Sequence, residues 1–207
     1  MIVLHSPSST FPRSRGRPRE FDMAEALDKA VLMFCERGYH ATSIAELTEA
    51  MELASGSVYK AFKNKRGVFL AAFDRYKSVR DARLRDSIDR GRNGYERVRN
   101  FLDFYAASSY GIQGQLGCMV VGGAAELATF DDEIAQRVTA SIKRSELMLG
   151  ELIRQGQSDG SIPAALDHRA TARLMLCIFQ GMRVIGKTGR SKKEMLAVSE
   201  AALKLLI

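Results

Sequence analysis

Cysteine and histidine are scarce in this chain, three of each among 207 residues. An odd number of widely spaced cysteines does not make a disulfide framework, so the chain reads as a protein of a reducing compartment. The histidines are His5, His40 and His168, too far apart in sequence to give a metal-ligand spacing. No nucleophile elbow and no phosphate-cradling glycine loop accompanies them. The acidic cluster Asp131-Asp132-Glu133 reads as favourable charge at a helix N-terminus rather than as paired catalytic carboxylates. These absences argue against an enzyme, and against a bound metal or cofactor. Long apolar runs are missing as well. The opening Met1–Leu4 is too short for a signal-peptide core, and the stretch from Cys118 to Ala128 is short and contains Glu126. The expectation is a soluble, cytoplasmic protein with no membrane partner.

What the chain does have is positive charge in two concentrated places. The formal net charge is +7, which by itself only favours an acidic partner. Residues 13–19 hold Arg13, Arg15, Arg17 and Arg19 with no acid, and residues 60–66 hold Lys60, Lys63, Lys65 and Arg66 with none. The basic run from Arg75 to Arg99 is interleaved with Asp74, Asp81, Asp86 and Asp89, the pattern of a solvated helix face.

Periodicity makes nearly everything after residue 20 helical. Asp22-x-x-Glu25 has the form of a capping box, and Leu27, Ala30, Val31 and Phe34 form an i, i+3, i+4, i+7 stripe. Gly38 suits a left-handed helix end. Thr42 or Ser43 caps a second helix with Ile44, Leu47, Thr48 and Met51 inward. Leu53, Val58 and Phe62 back a third. Asn64 caps a long fourth helix, with Val68, Phe69, Ala72, Phe73 and Tyr76 inward. Further helices are expected at about 94–110, 119–129, 132–156, 167–186 and 191–206, separated by breaks such as Gly111–Gly114, Asp159-Gly160 and Gly186–Gly189. The predicted fold class is all-α: a three-helix N-terminal helix-turn-helix domain and a six-helix C-terminal body. The predicted boundaries are a disordered basic arm over 1–20, the helix-turn-helix over 21–66 and the body over 67–207.

The segment Thr42–Lys65 gathers hydroxyls, a glycine, a tyrosine and lysines on a short helix backed by apolar residues, the design that enters a DNA major groove. From Gly38-Tyr-His-Ala-Thr-Ser-Ile44 through Val58-Tyr-Lys-Ala-Phe-Lys-Asn-Lys65 it resembles the TetR family of bacterial transcriptional regulators. The resemblance carries motif weight over roughly residues 17–76 and is architectural beyond. It implies a homodimer on a palindromic double-stranded operator, usually a repressor, released when a small-molecule inducer enters the body. Two positions depart from the family pattern. Glu52 stands where the inter-helix turn often has Gly, at a cost of about 1 kcal/mol if the residue is left-handed. Ala54 stands where a Ser or Thr usually caps the recognition helix.

Each candidate DNA contact has two readings. Tyr59 either reaches a phosphate with its hydroxyl or is a half-buried aromatic. Lys65, in the first turn of the fourth helix, meets phosphate together with free helix N–H groups. Thr42 and Ser43 either do the same for the second helix or simply cap it. Ser55, Gly56, Ser57 and Lys60 are the expected base readers, with Lys60 equally suited to phosphate. Lys63 adds charge beside them. Arg17 and Arg19 belong to an arm that follows the minor groove or backbone, or to a solubility tail.

In the body, Phe101, Phe104, Tyr105, Cys118, Met119, Met148, Met175 and Phe179 either line the ligand pocket that the resemblance implies or are plain core. Cys118, where a Gly-rich segment enters a helix, is either a thiol sensor with a lowered pKa or a small packed residue. Cys35 and Cys177 fall on apolar stripes and read as structural. Leu174, Ile178, Met182, Ile185, Met195, Val198, Ala202 and Leu205 on the last two helices form either a dimer interface or intramolecular packing. The rival function is an all-helical interaction protein whose basic patches bind another acidic partner.

Overall fold

The computed structural model describes residues 19–207, with side chains from Met23 onward. Of the arm expected over 1–20, residues 1–18, Arg17 included, and the side chain of Arg19 lie outside what is described. Among the described residues there is no strand. The helices run α1 (Arg19–Arg37), α2 (Ile44–Ala50), α3 (Ser55–Phe62), α4 (Lys65–Ile88), α5 (Gly94–Ala107), α6 (Gly111–Leu116), α7 (Met119–Glu126), α8 (Asp132–Asp159), α9 (His168–Ile185) and α10 (Lys192–Leu203). The all-α architecture is as the periodicity predicted. No described helix is long and apolar enough to cross a membrane.

Local signals set most of the helix ends. Ser43 and Glu46 form a full capping box on α2. The Asn64 side chain accepts from Gly67 N at the start of α4, Asp131 accepts from Ile134 N on α8, and Gly38 takes φ +82 after α1. Each such cap satisfies backbone groups that helix geometry leaves without partners. Two expectations are corrected. α1 already runs from Arg19, so Asp22 lies inside it and is not its cap. The break expected at Gly111–Gly114 is the short helix α6, which starts on Gly111 at φ +56.

Two apolar cores organise the chain, and both are served by α4. The first joins Ala26, Ala30 and Phe34 of α1 with Leu47, Met51 and Val58, then with Val68, Phe69 and Phe73 of α4. It also takes in Met119 and Val120 of α7 and Ile134 and Val138 of α8. The second holds Leu84 and Ile88 at the far end of α4 with α5, α8, α9 and α10. Each fully buried Leu, Ile or Phe contributes roughly 1.5–3 kcal/mol. The expected division at 66/67 therefore cuts through the first core, and the helix-turn-helix is packed directly on α7 and the start of α8.

The last helix packs inward rather than outward. α10 lies against α5, with Met195, Ala202 and Leu203 at 1–3 % exposure, and Met182 of α9 is equally buried. Met182, Met195 and Ala202 are thus core of one chain, not interface. Cys177, expected to be structural, is exposed on α9. Leu174 and Ile185 do face outward, Leu205 is exposed beyond α10, and Ile178 and Val198 are half-buried.

Candidate DNA-binding face and its link to the body

The first turn of α3 stands clear of the rest of the chain. Ser55, Gly56, Ser57 and Lys60 are exposed, and Tyr59 is 52 % exposed. Val58 alone of this helix is fully buried, and it anchors the inner face. A Cβ added at Gly56 would meet nothing within 4 Å. The backbone there is ordinary helix, so the fold gains nothing from glycine and forgoes up to about 1 kcal/mol of helix propensity relative to alanine.

Both departures from the family pattern are visible as geometry. Glu52 has φ 55 and Lys63, at the C-cap of α3, has φ 67, backbone values unusual for residues with a Cβ. Glu52 is tied down by Lys29 Nζ at 2.8 Å. Ala54 sits at the N-cap of α3 with extended backbone and no side-chain hydrogen bond to the helix.

The other predicted contacts divide between surface and scaffold. Lys63 is exposed, and Ser43 is exposed while capping α2. Thr42 is 1 % exposed, and its hydroxyl donates to Gly38 O at 2.7 Å. Its side chain therefore holds the α1–α2 turn and is not free to meet phosphate. Lys65 Nζ donates to Tyr39 O at 3.0 Å and Thr42 O at 2.9 Å, and lies 4.2 Å from the centre of the Tyr39 ring. Two of its three ammonium hydrogens are committed to the same turn, leaving one for a partner.

That turn is also held from the body, by residues that no local pattern points to. Glu126, the last residue of α7, accepts from Tyr39 N at 2.9 Å and His40 N at 3.3 Å. Arg66 donates to Asp131 at 2.9 Å and to Glu133 at 2.8 Å. The Arg66 guanidinium and the Ile134 N–H draw the Asp131 carboxyl down to about 2. The partners are 65 to 87 residues apart in sequence, so only the fold brings them together.

The expected ligand-lining residues do not form one group. Phe101, Tyr105, Met175 and Phe179 are buried in the second core with Phe104 and Met148 beside them, the Tyr105 and Phe179 rings 4.1 Å apart. Met119 and Cys118 belong to the first core. A cleft between α4 and α8 is lined by Phe73, Asp74, Lys77, Asp81, Arg137 and Arg144, none of them expected. Between the cores lies a cationic cluster. Tyr76 OH donates to Cys118 Sγ at 3.3 Å, Arg80 sits among the rings of Tyr76, Phe104 and Tyr105, and buried Arg183 donates to Gly117 O. Burial pushes the Cys118 thiol up, but Arg183, the Tyr76 hydroxyl and Arg80 together bring it below its ordinary value. Arg183 had one sequence signal. It stands four residues after Phe179 on a stripe that is otherwise apolar.

The chain matches the family model of bacterial regulatory proteins of the tetR family over residues 26–72, and the tetracyclin repressor-like C-terminal domain over 94–202. It is 31% identical over 196 residues to the HTH-type transcriptional repressor ComR of Escherichia coli (strain K12), covering 93% of this chain and 92% of that one. It belongs to the TetR family. Among solved structures, the TetR family transcriptional regulator CifR, as a cysteine mutant complexed with 26-bp double-strand operator DNA, is 31% identical with a TM-score of 0.82, covering 93% of this chain and 100% of that one. HTH-type transcriptional repressor BdcR of Escherichia coli (strain K12) is 32% identical over 111 residues, 54% of this chain and 56% of that one. This TetR-family chain is a DNA-binding transcriptional regulator and not an enzyme.

Proposed function

We propose that the chain is a homodimeric repressor that reads a palindromic operator through the first turn of α3 and lets go when a small molecule binds the body. The observation that carries the DNA-reading assignment is Gly56, which costs the helix stability yet leaves open space where its side chain would be. A glycine with no use inside the chain fits a backbone that something outside must approach closely. Ser55, Ser57 and Lys60 surround it with donors suited to base edges. Tyr59, Ser43, Lys63 and the remaining Lys65 hydrogen are suited to phosphates, which fix register without reading sequence.

A second copy of the chain is the occupant that fits the exposed face of α8 and α9. Leu147 is 64 % and Leu174 48 % exposed, with Val184 and Ile185 also outward. Gly181 lies on that stripe with nothing within 4 Å of its Cβ direction, and Gly150 on α8 meets only Ala172. Small residues between apolar ones let two helix pairs close around a two-fold axis, and a symmetric operator needs such an axis.

The test is a titration of the DNA upstream of the chain's own gene, followed by sedimentation equilibrium of the complex. An even number of chains per duplex and selectivity over scrambled DNA at physiological salt support the reading. One chain per duplex, or equal binding to scrambled DNA, contradicts it.

A further inference from the structure

Among the described residues the cationic cluster between the cores has no acid paired with it. Arg183 is 2 % exposed, and of its guanidinium only Nη2 has a partner, Gly117 O. Its Nε and Nη1 are buried and bond to nothing. Among the described residues no ion pair involves Arg183 or Arg80. A buried cation without a counter-charge is strongly unfavourable, and its unused donors ask for an acceptor. Around it the other groups are of the same kind. Arg80 is half-buried, donates only to Ser108 Oγ at 3.3 Å, and lies 5.0 to 5.5 Å from three ring centres. Cys118 opens α7 as its N-cap without making a side-chain cap bond, at the end of the helix where the backbone dipole favours negative charge.

We infer that this cluster is the binding site for a small organic anion, a short-chain monocarboxylate, held by Arg183 and Arg80 with its apolar part against Tyr76, Phe104 and Tyr105. The inference rests on the ligand-released reading above and names the chemical class of the ligand. A carboxylate supplies the missing charge and accepts from the planar guanidinium donors that are free. The three rings favour a ligand with an apolar tail over an inorganic anion, because a fully hydrated ion has nothing to gain from them. Occupancy also has a route to the DNA-reading module. α7 begins at the site with Cys118 and ends at Glu126, which holds the turn before α2.

The experiment uses the full chain without DNA. Its melting temperature is followed against propionate and benzoate, with propionamide and benzamide as neutral counterparts, at constant ionic strength. The carboxylates raise the melting temperature as binding to the native state must, the amides do not, and Arg183→Met weakens the apparent affinity by about tenfold or more. If Arg183→Met does not fold, Arg80→Met carries the same expectation. A second readout is the alkylation rate of Cys118 by iodoacetamide, whose pH midpoint moves upward when a carboxylate neutralises the arginines. Equal shifts by acid and amide, a shift that survives both variants, or no shift with either carboxylate overturns the inference. A gel shift run in parallel separates this outcome from the regulatory reading. A carboxylate that stabilises the chain but leaves DNA bound keeps the site and removes release, whereas no stabilisation removes the site and leaves release to another ligand.

Discussion

Glu126 accepts the backbone N–H of Tyr39 at 2.9 Å, and through that bond the end of α7 holds the turn that enters the helix-turn-helix. Gly38, one residue earlier, is packed so closely that a Cβ there would come within 2.4 Å of the Glu126 carboxylate. The same turn receives Lys65 from α4. Body and DNA-reading module therefore share a joint of named hydrogen bonds rather than a loose linker. Glu126→Ala should cost about 1–3 kcal/mol, the range for removing a charged acceptor from partly buried donors. Operator affinity should fall further than the stability loss explains. Chemical denaturation and a binding isotherm on the same preparation check both.

The second joint is electrostatic and has a pH signature. Asp131, paired with Arg66, titrates at about 2 in the folded chain, below its ordinary value of about 3.9 in an unfolded one. A group whose folded pKa is depressed adds stability that is fully present above the unfolded pKa and is lost as pH falls toward the folded one. The melting temperature should therefore hold from neutral pH to about 4 and decline between about 4 and 2. Asp131→Asn should flatten part of that decline. A thermal melt series on both proteins decides it.

Glu52 and Ala54 show which sequence signals survive folding unchanged. Their departures from the family pattern were readable because turn and cap geometry depend on neighbours along the chain, and the structure gives Glu52 a positive φ and α3 a bare cap. Ser43, Asn64 and Gly38 were readable for the same reason. The Glu126 and Arg66 contacts were not, because their partners lie 65 to 87 residues away and nothing local pairs them. Which face of α10 turns inward was likewise hidden. Ala197 and Ala202 are the same residue type, and only packing leaves the first exposed and buries the second. Cys118 at a helix start and Arg183 on an apolar stripe each carried a signal, but nothing in the sequence joined them to each other or to Arg80.

The bare cap gives a simple test. Ala54→Ser places an acceptor at an N-cap whose backbone is already extended. It should stabilise the chain by about 0.5–2 kcal/mol. A lower melting temperature would mean that Ala54 is held by packing rather than tolerated.

Gly181 tests the dimer face without touching the core. Open space surrounds its Cβ direction within one chain, and any residue other than proline improves helix propensity over glycine. Gly181→Glu should therefore give a folded monomer that has lost operator affinity. Sedimentation velocity showing an intact dimer would move the interface elsewhere.

The most direct test of the DNA-reading account is Gly56→Ala, with stability and operator affinity measured side by side. With nothing within 4 Å to obstruct the methyl, folding should gain up to about 1 kcal/mol. The same methyl should stand between the α3 backbone and the DNA and weaken operator binding. A more stable protein that binds less tightly is the predicted result. A variant that binds its operator as well as the parent would contradict it, because the first turn of α3 would then not be what meets the DNA.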